Sequence, residues 1–199
     1  MLANRLLISA FGGIIVFEFF VRPSFGKLFQ DLIIWKPPFK ELPKHPPRKV
    51  EWHQDYSYWP LNKPLGVTIW IALDESSSNN GTMCYIPKSH EWGECQATLY
   101  GLNNSYKEEN ELPQLQLNNA PQEMIHCFEG EGIAHHPLCC HMSDINRSNE
   151  HRRAWSLTFV SPKIKWDPDH APHPLNHQLD PSQKQILNAS RFPRFKKRI

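Results

Sequence analysis

Positive charge is scarce and scattered in this chain: the formal net charge is only +2, and the one basic cluster, Arg191 to Arg198, sits at the very end. A nucleic-acid partner is thereby disfavoured. Cysteines are few and odd in number. Cys84, Cys95, Cys127, Cys139 and Cys140 lack the paired short spacings of a zinc site or a disulfide framework, which points to a reducing compartment, the cytoplasm, and to packing roles for the thiols. No internal repeat and no regular alternation of helical and strand patterns is present. A long uninterrupted apolar run is lacking too. The stretch between Arg5 and Arg22 falls short of the roughly 20 residues of a spanning helix, Glu18 interrupts it, and no small-residue cleavage site follows. A membrane anchor through residues 6–21 is therefore disfavoured against a buried helix and strand leading into a domain.

What is present describes a globular chain: 40% apolar, 12% aromatic and 21% charged residues, in 199 residues, enough for one domain with a real core. Eighteen prolines against nine glycines suit strands and long ordered loops better than a helical bundle. Phe29 to Pro37 reads as a short apolar strand ended by Pro37 and Pro38. Leu65 to Leu73 alternates, with Val67, Ile69, Ile71 and Leu73 on one face and Thr68, Trp70 and Ala72 on the other. Asn79-Asn80-Gly81 signals a turn and Thr82 to Ile86 a returning strand, together a hairpin. Residues 91–121 are polar and aperiodic, an excursion of the kind that carries substrate contacts. Ile133 to His141 and Arg153 to Val160 are strand-like, and Pro181 to Ala189 suits a short helix.

Many short strands with turn signals predict a mostly β protein with a jelly-roll core, the double-stranded β-helix of cupin-like folds, and a few flanking helices. The expected organisation is a lead-in over 1–28, a jelly-roll domain over 29–162 and a Pro/His-rich tail over 163–199.

The sharpest chemical signal is His53-Gln54-Asp55. In extended backbone residues i and i+2 share a face, so an imidazole and a carboxylate could grip one metal side by side. A distant histidine would complete a two-His, one-carboxylate set that leaves three coordination positions open. By spacing alone the motif is weak, since a solvated surface pair has the same pattern. On spacing alone, too, His135, His136 and His141 all compete for the third position. His90, His170, His173 and His177 have no partner spacing, and ordinary polar roles suit them. In the strand RAWSLTFV, Trp155, Leu157 and Phe159 share one face, while Arg152, Ala154, Ser156 and Thr158 share the other. A guanidinium on a small, polar strand face suits a dicarboxylic acid, because its planar fork meets a carboxylate with two hydrogen bonds. Arg153, on the opposite parity, reads as an exposed edge residue.

Five blocks carry a family resemblance: WKPP at 35–38, WHQDYSYWP at 52–60, TIWIALDE at 68–75, NNGTMCYIPKSH at 79–90 and HHPLCCHMSDINRSNEHRRA at 135–154. In this order they resemble the phytanoyl-CoA dioxygenase family of iron(II), 2-oxoglutarate-dependent oxygenases. The resemblance implies that His53, Asp55 and His141 hold iron(II), that Arg152 and Ser143 bind the far carboxylate of 2-oxoglutarate, and that Lys36 and Trp70 line the same pocket. It implies O2 as the other co-substrate and hydroxylation of a small organic or acyl molecule with release of succinate and CO2. Asp55 matters to that expectation, because relatives that halogenate have lost this carboxylate. Activity is expected to fall on acidification as the histidines protonate.

The chain departs from the family pattern at Met142, where Gly is usual, at Pro87-Lys88-Ser89-His90 in place of a Gly-Ser-His turn, and at Glu131-Gly132-Ile133 in place of Gly-Asp. It also has fewer residues ahead of Trp35 than family members carry, which keeps a truncated or non-catalytic metal-binding relative as the alternative. A zinc hydrolase using the same ligands would leave the Arg152 spacing unexplained. Tyr56, Tyr58 and Trp59 could wall the site or simply fill core. The substrate and the oligomeric state are not readable.

Overall fold

The structure is a computed structural model that describes residues 26–41, 49–95 and 119–177, together with Leu187 and Phe192. Among these residues eight strands form two antiparallel sheets. They are β1 (Lys27–Lys36), β2 (Val50–His53), β3 (Gly66–Ala72), β4 (Met83–Tyr85), β5 (Glu123–Met124), β6 (Gly132–His135), β7 (His141–Ser143) and β8 (Arg152–Val160). The larger sheet runs β1-β8-β3-β6 and the smaller β2-β7-β4-β5. After β3 the chain passes from one sheet to the other at nearly every connection, which is jelly-roll topology. The expected mostly β, jelly-roll class is what the chain adopts. Its named helical segments among the described residues are short 3-10 turns, such as Asp55–Tyr58 and Ser89–Trp92. The lead-in before residue 26 and the helix expected over Pro181 to Ala189 fall outside the described residues, Leu187 excepted. No helix of the described residues is long and apolar enough to cross a membrane.

β8 is the central strand, pairing with β1 from Arg152 to Val160 and with β3 from Ala154 to Val160. Its period-two pattern is plain: Arg152, Ala154, Ser156, Thr158 and Val160 are buried, while Arg153 and Trp155 are exposed. Arg153 pairs with Asp74 at 2.7 Å on the surface, as expected of the outward parity. On β3 the inward row is Thr68, Trp70 and Ala72, and the more aliphatic row of Ile69 and Ile71 is only half-buried. The interior of this sheet is thus smaller and more polar than its exterior, because the interior must hold a site as well as a core.

Two sequence expectations are corrected. Residues 65–73 and 82–86 do not make a hairpin, since β3 and β4 lie in different sheets. The turn is real, with Asn80 and Thr82 amides donating to the Ser77 carbonyl, but it rounds a corner between sheets. Likewise 133–141 is not one strand: β6 belongs to the larger sheet and β7 to the smaller, joined through a turn in which Cys139 N donates to His136 O. Alternation reports that a segment is extended and which residues share a face. It does not report which sheet the segment joins.

The core lies in three clusters. Trp70, Ala72 and Ala154 of the larger sheet meet Met83 and Tyr85 of the smaller, with Cys127, Ile133 and Cys139. Phe29, Trp59, Leu61, Val160, Ile164 and Trp166 close one end with Leu187 and Phe192, and Ile86, Cys95 and Cys140 form the third. Fully burying a large side chain such as Leu61 or Trp166 contributes on the order of 2–3 kcal/mol of transfer free energy. Tyr56 and Trp59 are core; Tyr58, half-buried, packs against the same cluster and meets the His53 ring edge-on, 6.0 Å between centroids. Lys88, where the resemblance leads one to expect Gly, takes a left-handed backbone (φ 63°), a conformation that costs an L-residue about 1–2 kcal/mol.

Candidate metal centre

β2 ends at His53, and the backbone stays extended through Gln54 (φ −114°, ψ 133°) before turning into Asp55–Tyr58. Gln54, 1% exposed, holds this segment in place. Its Nε2 donates to the carbonyls of Gly93 (2.9 Å) and Leu138 (2.8 Å), and its Oε1 accepts from Cys95 N (2.7 Å). Sequence reading assigned Gln54 no role; its position between two candidate ligands was the only signal.

His141 opens β7 and stands opposite His53 in the β2–β7 ladder, their rings 4.2 Å apart between centroids. His53 Nδ1 lies 2.8 Å from the Glu51 carbonyl and His141 Nδ1 lies 2.9 Å from the Cys139 carbonyl. A carbonyl oxygen only accepts, so each neutral ring carries its proton on Nδ1 and offers the Nε2 lone pair. Those two Nε2 atoms are 3.8 and 3.5 Å from Asp55 Oδ1. One ligand atom from each of His53, Asp55 and His141 lies within 4.8 Å of the other two.

Burial, with the neighbouring histidines, holds His141 well below the ordinary imidazole range, and burial lowers His53 as well. Burial works the other way on Asp55, yet the surrounding histidines outweigh it and keep the carboxyl below the usual carboxylate range. Two neutral imidazoles and a carboxylate are the protonation states a divalent metal needs. Such a donor set, two nitrogens and one oxygen, suits a first-row divalent ion with open positions.

Of the competing histidines, His136 is committed elsewhere: its Nδ1 accepts from Leu138 N and its ring packs near His90, 5.5 Å between centroids. His135 does reach the centre, with Nε2 3.1 Å from Asp55 Oδ2. Sequence reading had weighed it as a rival third ligand and set it aside.

Beside the triad lies a buried cationic pocket. Ser143 is two residues from His141 on β7, and its Oγ donates to the Gly81 carbonyl (2.8 Å). Arg152 Nη2 donates to Ser143 Oγ (2.9 Å) and to Gly81 O (2.8 Å). The guanidinium is 0% exposed, with Cζ 5.5 Å from the Trp70 ring centroid. Lys36 faces Arg152 across the β1–β8 ladder, its ammonium donating to the carbonyls of Ser143 (3.2 Å) and Asp144 (2.6 Å). Burial and the Arg152 charge, opposed by Asp144, bring Lys36 down to about 7; burial brings Arg152 to about 10. Gly81, at φ 77°, completes the wall, and a Cβ there would run into the Asp144 carbonyl. Arg152 Nε and Nη1, and Trp70 Nε1, have no hydrogen-bond partner among the described residues. Buried donors on a cation without an acceptor are costly, and a ligand carboxylate is the group that would satisfy them.

The sequence model of phytanoyl-CoA dioxygenase (PhyH) matches residues 5–154. The chain belongs to the phytanoyl-CoA dioxygenase family. It is 29% identical over 152 residues to the peroxisomal phytanoyl-CoA dioxygenase of Homo sapiens, an alignment that covers 72% of this chain and 42% of that protein. The chain therefore spans less than half the length of that curated relative. Among solved structures, the non-heme alpha ketoglutarate dependent carbocyclase SnoK from nogalamycin biosynthesis superposes with a TM-score of 0.67 at 20% identity, covering 86% of this chain and 62% of that one. The epimerase SnoN, in complex with Fe3+, alpha ketoglutarate and nogalamycin RO, gives 0.66 at 19% identity, covering 85% and 64%. These two share the fold with this member of the phytanoyl-CoA dioxygenase family.

Proposed function

We propose that this protein is an iron(II), 2-oxoglutarate-dependent dioxygenase that hydroxylates a small organic or acyl substrate, with residues 29–162 as its catalytic unit. The observation that carries the reading is the convergence of His53 Nε2, His141 Nε2 and an Asp55 oxygen within 4.8 Å of one another. Family membership and the unmatched Arg152 donors support it.

Iron(II) with 2-oxoglutarate supplies, when bound, the oxidising chemistry that uses O2, releases succinate and CO2 and places a hydroxyl group on the substrate. His53, Asp55 and His141 would hold the metal, and the Nδ1 bonds to Glu51 and Cys139 keep their donor atoms aimed before it arrives. Arg152 would anchor the far carboxylate of 2-oxoglutarate through Nε and Nη1 beside the Ser143 hydroxyl. Lys36 would add positive charge, and the Trp70 ring keeps water from the guanidinium face. The five cysteines are free and buried, which supports work in a reducing compartment such as the cytoplasm.

The test is anaerobic titration of the apoprotein with iron(II) and 2-oxoglutarate, following the visible metal-to-ligand charge-transfer band, with His141→Ala and Arg152→Ala alongside. A band abolished in His141→Ala and weakened in Arg152→Ala is expected. A folded wild-type protein that develops no band would leave a non-catalytic relative as the better reading.

A further inference from the structure

Asp55 uses its two carboxylate oxygens differently. Oδ1 faces the Nε2 atoms of His53 and His141. Oδ2 accepts from Thr68 Oγ1 at 2.6 Å and lies 3.1 Å from His135 Nε2. Thr68 and His135 are a directly opposed cross-strand pair of β3 and β6, both buried, so one rung of the larger sheet meets a single carboxylate oxygen. A carboxylate oxygen has only lone pairs to offer, so the His135 Nε2 facing it carries a proton, and in the neutral ring Nδ1 accepts from the Tyr85 hydroxyl at 3.1 Å. Tyr85 in turn stands opposite His141 in the β4–β7 ladder, its ring near-parallel at 5.6 Å. The smaller sheet thus contributes the imidazole ligands, and the larger sheet contributes the donors that occupy the other side of the carboxylate.

We propose that Thr68 and His135, braced by Tyr85, form a two-donor clamp that fixes Asp55 as a ligand through Oδ1 alone. Swinging Oδ2 onto a metal would break two hydrogen bonds to a charged acceptor in a buried setting, where such bonds are strongest. A chelating carboxylate would also take one of the positions that a two-His, one-carboxylate set otherwise leaves open. His135 is on this account a positioning residue that acts through Asp55. The inference rests on the metal centre proposed above.

The experiment uses cobalt(II) alone as the probe, with no co-substrate, reading affinity by chelator competition and coordination by ligand-field absorption. Variants are His135→Phe, His135→Gln, Thr68→Val and Tyr85→Phe, with His53→Ala as the ligand control. His135→Phe and Thr68→Val are expected to weaken cobalt(II) binding about 10- to 100-fold and to change the absorption band shape. His135→Gln, which carries an amide N–H near the Nε2 position, is expected to restore most of the affinity and the wild-type band; Tyr85→Phe should lie between. Should His135→Phe fail to fold, Thr68→Val, nearly isosteric, decides by itself. Wild-type affinity and an unchanged band in folded His135→Phe or Thr68→Val, with binding lost in His53→Ala, would overturn the clamp and leave the metal centre standing. A wild-type protein that binds no cobalt(II) would overturn both.

Discussion

Arg152 Nη2 is 2.9 Å from Ser143 Oγ, while Nε and Nη1 of the same guanidinium meet no acceptor among the described residues. Each buried donor left unmatched costs about 1–3 kcal/mol. The Gly81 carbonyl keeps its bond from Ser143 when the arginine is removed, so nothing else is orphaned there. Arg152→Met is therefore expected to leave the apoprotein as stable as the wild type or about 1–2 kcal/mol more so, while weakening 2-oxoglutarate binding about 100-fold. Urea denaturation and co-substrate titration measure the two effects. A strongly destabilised variant would mean that the guanidinium is structural.

Lys36 gives the proposed co-substrate pocket a pH signature. With its ammonium lowered to about 7 by burial and Arg152, it is largely neutral at pH 8, and a dianion bound beside it would raise it again. Binding of 2-oxoglutarate at pH 8 should then take up as much as about one proton per site. Calorimetry in buffers of different ionisation enthalpy reads the uptake, and Lys36→Met should abolish it. No difference between buffers would place the co-substrate elsewhere.

Acid should destabilise the apoprotein through the two candidate ligand histidines. His53 and His141 are lower in the folded protein than the free-imidazole value of 6.5, so the unfolded chain binds protons that the folded chain refuses. Stability is greatest above that value and declines as pH falls below it, by up to about 1.4 kcal/mol per pH unit for each imidazole. Asp55, held below 3.8, adds a loss of the same sign at lower pH. Urea midpoints at pH 7.5, 6.5 and 5.5 test this, and the His53→Ala, His141→Ala double variant should flatten the profile.

Gln54→Leu removes three hydrogen bonds from a side chain that is 1% exposed, leaving Cys95 N and two carbonyls to find other partners. A loss of about 3 kcal/mol is expected. Cobalt(II) affinity should fall as well, because this side chain holds the backbone that carries His53 and Asp55. A variant within about 0.5 kcal/mol of wild type would show that water replaces those bonds without cost.

Much of the β8 and β3 geometry was legible in the residues, because a strand's period of two is a property of the backbone itself. That Arg152 and Arg153 lie on opposite faces follows from parity alone; that the face with Arg152 is the inward one does not, because the other face is the more apolar. The shared face of His53 and Asp55 follows from parity too, given extended backbone through Gln54. The resemblance named the set His53, Asp55 and His141, Arg152, Ser143, Lys36 and Trp70, and the structure brings the first three together and groups the last four around Arg152.

Pairing was not legible. Local alternation cannot tell whether β3 turns back on itself or passes to the other sheet, and it read β6 and β7 as one segment. Where the competing histidines stand follows from pairing as well: His141 faces His53 because β7 pairs with β2, and His135 faces Thr68 because β6 pairs with β3. By itself the sequence determined which segments are extended, which residues share a face and which residues could ligate or bind a carboxylate, all consequences of covalent geometry and side-chain chemistry. Only the tertiary structure decided which oxygen of Asp55 meets which histidine, because that depends on strand register between residues distant in sequence, and hydrogen-bonded ladders set register only once the chain has folded.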